Sequence, residues 1–182
     1  MDFLCLEFIN SRWFARRKPF EDPLEQPEWL TRFCEKWDLP EPGTDAATLD
    51  VLRGLRGLLA EAAAEFRSLR GLSARLQARL NARLEAAPFS QRLEAAEDGR
   101  LRLGLVPCNR DPAWFSACVV RSFALLLTEY APERLKCCAN PECGWFFYDE
   151  SKNQTRKWCD NACASLLKVR RFRSRAHPPA AR

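Results

Sequence analysis

Four cysteines constrain the C-terminal quarter of this 182-residue chain before any hydrophobic pattern is read. Cys138 and Cys143 enclose four residues, fifteen residues follow, and Cys159 and Cys163 enclose three. Two close pairs joined by a short loop can place four thiolates around one tetrahedral ion, and zinc is the metal expected for that donor set. An iron–sulfur centre and a set of unliganded cysteines are the lesser alternatives. The segment has too few apolar side chains to fold alone, whereas a structural zinc supplies roughly 10–16 kcal/mol. Four protein thiolates leave no position for a reacting water, so one structural ion is expected. Cys137 would lengthen the first loop by one residue and is read as a non-ligand.

The loop between the pairs holds an aromatic strand, Trp145 to Tyr148, and a polar turn. In that turn Asp149, Ser151 and Asn153 suit capping and hydrogen bonding around the thiolates. Trp145, Phe147 and Trp158 are read as packing around the metal in preference to stacking on bases. From about Cys159 a helix is predicted, ending before His177-Pro178-Pro179. On it Ala162, Leu166, Val169 and Phe172 share a face expected to pack, while Lys168, Arg171 and Arg175 lie opposite. Together with Arg156, Lys157, Arg170 and Arg173 these form a basic field able to meet a nucleic-acid backbone or major groove. The plainer reading is a solvated helix whose arginines only keep the chain from aggregating.

Charge is distributed accordingly. Residues 134–182 carry 11 basic and 4 acidic side chains, a net of +7, leaving 18 against 20, or −2, for the first 133. Hydrophobic residues at 47% and charged residues at 29% exclude a disordered chain. No run of 18 apolar residues occurs, and the most apolar stretch, 114–120, stops at Arg121, so no membrane span is expected. The opening residues lack the basic start of a secretory signal, and a cytoplasmic location is expected. There an odd number of cysteines, nine, reads as metal binding before disulfides.

The remainder reads as helical. A helix entered after Pro27 runs through Trp29 to Trp37, whereas the run from Phe3 to Ile9 is too short to separate strand from buried helix. A long helix, capped by Thr44 or Asp45, extends to about Arg70 with Leu52, Leu55, Leu59, Ala62, Phe66 and Leu69 as its buried stripe. Gly54 and Gly57 weaken it, either to admit another helix or as imperfect local sequence. Leu72, Leu76, Leu80 and Leu84 mark a second helix ending before Pro88, too short for a coiled coil. A hairpin over 89–106 follows, then a helix from Asp111-Pro112 to about Tyr130. The expected fold is mainly α: a multihelical N-terminal domain over 1–132 with a small β-hairpin, then over 133–182 a compact four-cysteine zinc-binding module with a basic C-terminal helix.

The stretch from Leu135 to Arg175 resembles the CGNR zinc-finger family. The resemblance rests on Cys138, Asn140, Pro141, Cys143, Gly144, Trp145, Phe147, Asp149, Ser151, Asn153, Arg156, Trp158, Cys159, Cys163, Lys168, Arg170, Arg171 and Arg173. The opening from Leu4 to Trp13 is similar to the start of the ABATE domain that accompanies this finger. The resemblance implies a mostly helical bacterial stress-induced transcription regulator that binds DNA. One departure stands out: where the family has Gly-Asn-Arg after the fourth cysteine, this chain has Ala164-Ser165-Leu166.

Three classes of function follow. The first is a zinc-containing DNA-binding transcription regulator without enzymatic activity, in which residues 1–132 sense a small-molecule effector or form a homodimer. The second is a protein- or RNA-interaction module whose zinc is purely structural. An enzyme is the weakest, because the single histidine, His177, lies between Ala176 and Pro178 in the tail and leaves no candidate imidazole base.

Overall fold

The computed structural model describes residues 2–12, 21–96, 98–108 and 112–176, with the side chains of 105, 107, 112 and 170–176 excepted. Trp13, the Asp111 cap and His177 lie outside the described residues. The protein is mostly α-helical with two small antiparallel two-stranded sheets and a cysteine cluster near its C-terminus.

Helix α1, Leu4–Asn10, settles the ambiguity of the opening run: six of its seven residues are buried. A helix apolar on nearly every side has no amphipathic period to read. It packs between α3, Ala46–Leu69, and α5, Pro112–Thr128. Phe8 on α1, Phe33 on α2 (Pro27–Trp37) and Phe115 on α5 meet with ring centroids 5.6–6.0 Å apart and form the centre of the core.

Asp45 caps α3 by accepting from the Thr48 N–H at 3.1 Å, and Ser73 caps α4, Ala74–Glu85, by accepting from the Leu76 N–H. Leu52, Leu55, Leu59 and Ala62 are buried as the stripe requires, but Leu69 is 71% exposed. Leu76 and Leu80 enter the same core, so the four-residue leucine repeat is globular packing. Strands β1, Phe89–Ala95, and β2, Leu101–Pro107, pair in full register, with Leu93 opposite Leu103 and Ala95 opposite Leu101. The period-2 pattern predicted the strands but not their burial: Leu93, Leu101 and Leu103 are all exposed.

A buried ion pair joins the long helix to the start of the chain. Arg56 on α3 donates from Nη1 and Nη2 to the two Asp22 carboxylate oxygens at 2.7 and 2.5 Å. Nη1 also reaches Ser11 Oγ at 3.1 Å, and that hydroxyl donates to the Phe8 carbonyl. Burial works to raise the Asp22 pKa, but the Arg56 hydrogen bonds and charge outweigh it and hold the carboxyl below its usual range.

A Cβ added at Gly54 or Gly57 would meet nothing within 4 Å, so neither glycine of α3 admits a close neighbour. Gly54→Ala and Gly57→Ala should each raise stability by about 0.5–1 kcal/mol, read as an upward shift in urea midpoint. Because folded Asp22 titrates below the unfolded carboxyl, near about 3.9, its contribution is full above that pH and is lost as the pH falls through the folded value. Arg56→Met should therefore cost roughly 3–5 kcal/mol at neutral pH, a penalty that shrinks as urea midpoints are measured toward about pH 3.

Candidate metal centre

The chain leaves α5 through a short 3-10 turn, Pro132–Arg134, into β3, Leu135–Cys137, which pairs antiparallel with β4, Phe146–Tyr148. Strand alternation decides which side chains face the metal. Leu135 and Phe146 are buried in the helical core, and Cys137 and Tyr148 pack against it. Lys136 and the paired Phe147 take the opposite face. Cys137 is therefore turned away from the cluster that its neighbour Cys138 enters.

Asn10, the last residue of α1, seats this sheet. Its Nδ2 donates to the Phe146 carbonyl at 2.7 Å and its Oδ1 accepts from the Phe146 N–H at 2.9 Å. A buried side-chain amide thus satisfies both backbone groups of one strand residue, which would otherwise face the core unpaired.

The first cysteine pair forms a tight knuckle. The Cys138 N–H donates to the Trp145 carbonyl at 2.8 Å and the Cys143 N–H to the Asn140 carbonyl at 2.9 Å, while Gly144 turns the chain at φ 69°. That left-handed geometry favours glycine. The second pair opens α6, Asn161–Ala176: Asp160 accepts from the Cys163 N–H at 2.7 Å and so caps the helix that carries the fourth cysteine.

The four Sγ atoms lie within 4.8 Å of one another, with Cys143 to Cys159 and Cys159 to Cys163 both at 3.6 Å. Tetrahedral zinc with Zn–S near 2.3 Å requires S···S edges of about 3.8 Å, so the donor set fits the ion. Asn140 Nδ2 donates to Cys163 Sγ at 3.6 Å. Burial works to raise the Cys138 thiol, but the Cys159 and Asn140 backbone N–H groups hold it below its usual value. Burial and then the neighbouring thiols push Cys159 upward, and Cys163 rises to about 11, chiefly through burial. The site is a single structural zinc centre, with Cys138, Cys143, Cys159 and Cys163 as its donors.

The polar turn is more tightly organised than capping alone requires. Asp149 is fully buried, and each of its carboxylate oxygens accepts two hydrogen bonds. Oδ1 takes the Ser151 N–H at 2.9 Å and hydroxyl at 2.6 Å; Oδ2 takes Lys136 Nζ at 2.5 Å and the Arg156 N–H at 3.0 Å. Lys136 completes its three donors on the Gln154 and Arg156 carbonyls. Burial would raise the Asp149 pKa, yet Lys136 and Ser151 drive it far below the ordinary carboxylate range. Asn153 is exposed on the turn, and its side chain has no hydrogen-bond partner among the described residues.

The basic residues fall into two groups. Arg156 is turned onto its own module: it donates to the Trp158 and Cys159 carbonyls and lies 4.9 Å from the Phe147 ring centroid. Lys157 and Lys168 are exposed, and Arg170, Arg171, Arg173 and Arg175 follow on α6. The packing face expected on this helix is not formed by Leu166 and Val169, which are 44% and 49% exposed, or by Ala162, which is also exposed. Cys163, drawn in by the metal, is the buried residue of its first turns. Lys136 and Asn10 gave no sequence signal as site residues, because strand register and tertiary approach define them. Asn140 was visible only among the residues that carry the family resemblance.

The architecture is a helical body followed by a four-cysteine zinc knuckle, and comparison with protein families assigns both parts. Residues 134–176 match the CGNR zinc finger, and residues 2–130 match ABATE, described as "Putative stress-induced transcription regulator". The chain belongs to the ABATE family and carries a CGNR zinc finger at its C-terminus; it is a non-enzymatic zinc-binding regulator. Comparison with curated proteins gives no match. Among the described residues no helix is long and apolar enough to cross a membrane.

The purified protein should hold one zinc per chain by elemental analysis. Serine at Cys138, Cys143, Cys159 or Cys163 should weaken retention against a competing chelator by at least about tenfold, whereas Cys137→Ser should retain zinc as the wild type does.

Proposed function

We propose that this protein is a DNA-binding transcription regulator whose α6 makes the nucleic-acid contact. One observation carries the reading: both the charged and the apolar residues of α6 from Ser165 to Val169, Leu167 excepted, are exposed, so the helix stands off the body beyond its metal-held first turn. A rigidly anchored helix with free sides is what a groove can accept. Lys157, Lys168, Arg170, Arg171, Arg173 and Arg175 supply positive charge along it. Arg156 adds to the same field while its guanidinium holds the Cys159 loop. The work divides near residue 132: residues 1–132 sense an effector and support a homodimer, and 133–182 bind DNA. The setting is the cytoplasm.

A protein- or RNA-interaction module is the second reading, favoured by the exposed Leu166 and Val169 and by Ser165-Leu166 standing where the family carries Asn-Arg. Filter binding of the zinc-loaded full chain to duplex DNA across a salt series separates the two. DNA binding should fall steeply with salt, and Lys168→Ala, Arg171→Ala and Arg175→Ala combined should reduce the log–log slope by roughly 2–3. No retention at low salt, with the zinc content intact, overturns the DNA reading.

A further inference from the structure

A cleft of about 690 Å³ opens between the start of α1, the end of α2, the β1–β2 hairpin and α5, lined in part by Phe3, Trp37, Arg102, Trp114, Arg121 and Tyr130. Its volume lies in the range of small-molecule sites. The cations differ in their engagement. Arg102 is paired with Glu94 at 2.9 Å, whereas Arg121, half-buried on α5, has no hydrogen bond or ion pair among the described residues. The cleft's acidic residues do not supply one: Asp2 binds Lys36 at 3.3 Å, and the exposed Asp38 does not reach Arg121. A half-desolvated guanidinium facing a cavity is suited to a carboxylate, which it binds through two parallel hydrogen bonds. The neighbouring walls are indole and phenol rings, which favour a flat apolar group over a sugar or polyamine.

We infer that this cleft binds a small aromatic carboxylate, its carboxylate on Arg121 and its ring among Trp37, Trp114 and Tyr130. The position suits an effector. Phe3 and Tyr130 line the cleft, touch each other at 4.9 Å, and both touch Tyr148 of β4, at 5.1 and 6.3 Å between centroids. Tyr148 also accepts the Ala131 N–H at 3.2 Å and precedes Asp149 in the chain. A ring inserted beside Phe3 and Tyr130 therefore presses on the seat of the zinc-bearing sheet. The inference rests on the sensing role assigned to residues 1–132. Its test contains no DNA, so its failure and that of the DNA reading are distinguishable.

The test is calorimetric titration of the zinc-loaded full chain with phenylacetate and indole-3-acetate, and with the matching neutral amides. Saturable binding of at least one acid is expected, with its amide weaker by at least about tenfold, since the amide lacks the charge that Arg121 selects. Arg121→Gln should weaken the acid by a similar factor and Arg121→Lys by less, because an ammonium retains charge without the two-pronged geometry. Arg100→Gln, in the exposed hairpin turn, should leave affinity unchanged. The acid–amide comparison needs no variant and so stands even if a substitution disturbs folding. No saturable binding of either acid up to about 5 mM, equal affinity for acid and amide, or undiminished binding by a folded Arg121→Gln chain overturns the assignment.

Discussion

Four cysteine sulfurs gathered within 4.8 Å cannot all be thiolates in the absence of a cation, because each charge raises the cost of the next. Against the effect of burial, two backbone N–H groups hold the Cys138 thiol below its usual value, whereas burial and then the neighbouring thiols push Cys159 upward. A dication reverses that order of costs at once, converting mutual repulsion into four short bonds. The fold of residues 134–176 depends on this exchange. Leu135 and Phe146 are given to the helical core, and what packs around the cluster is a few side chains, Trp145 and Trp158 among them, too little to hold the loop between the cysteine pairs by burial.

The metal does not act alone. Asp149 and Lys136 form a second, purely organic centre on the same module, in which every carboxylate acceptor and every ammonium donor has a partner. A buried pair of this kind is sustained by completeness, since one missing partner would leave a desolvated charge. It closes the turn at Ser151–Gln154, and through Arg156 reaches the Cys159 carbonyl, so the second cysteine pair is delivered to the first at a fixed distance. Asn10 then locks β4 to α1, and the sheet serves both bodies: one face in the helical core, the other toward the knuckle.

The helices and the metal donors were readable from local chemistry. Asp45, Pro27 and Pro88 bound their elements through capping and backbone restriction, effects that act within a few residues. Cysteine spacing likewise encodes a site because the ligands come in near neighbours. What was not legible is non-local. Arg56 looks like any exposed helical arginine until Asp22 and Ser11 are folded onto it. Asn10 looks like a helix terminus until Phe146 arrives from 136 residues away. The apolar face misread on α6 has a plain cause: periodicity reports that a face is apolar, not that anything covers it.

The departure after the fourth cysteine is best judged from its place on α6. Cys163 is drawn into the zinc centre, whereas Ser165 and Leu166 are exposed a few residues further along. Neither position touches the metal's donor set, so exchanging the family's Asn-Arg for Ser-Leu changes what the helix offers to solvent without loosening its anchor. An arginine there would place charge on the first two turns; here the charge begins at Lys168 and continues through Arg175. On the proposed DNA-binding reading, the charge left to the helix is the run at Lys168, Arg170, Arg171 and Arg173, which the family pattern shares. Recognition helices read base edges from their N-terminal residues, where this chain lacks the family's arginine, so on that reading the remaining cations would meet the phosphate backbone. If the proposed function holds, affinity with modest sequence discrimination is the behaviour expected.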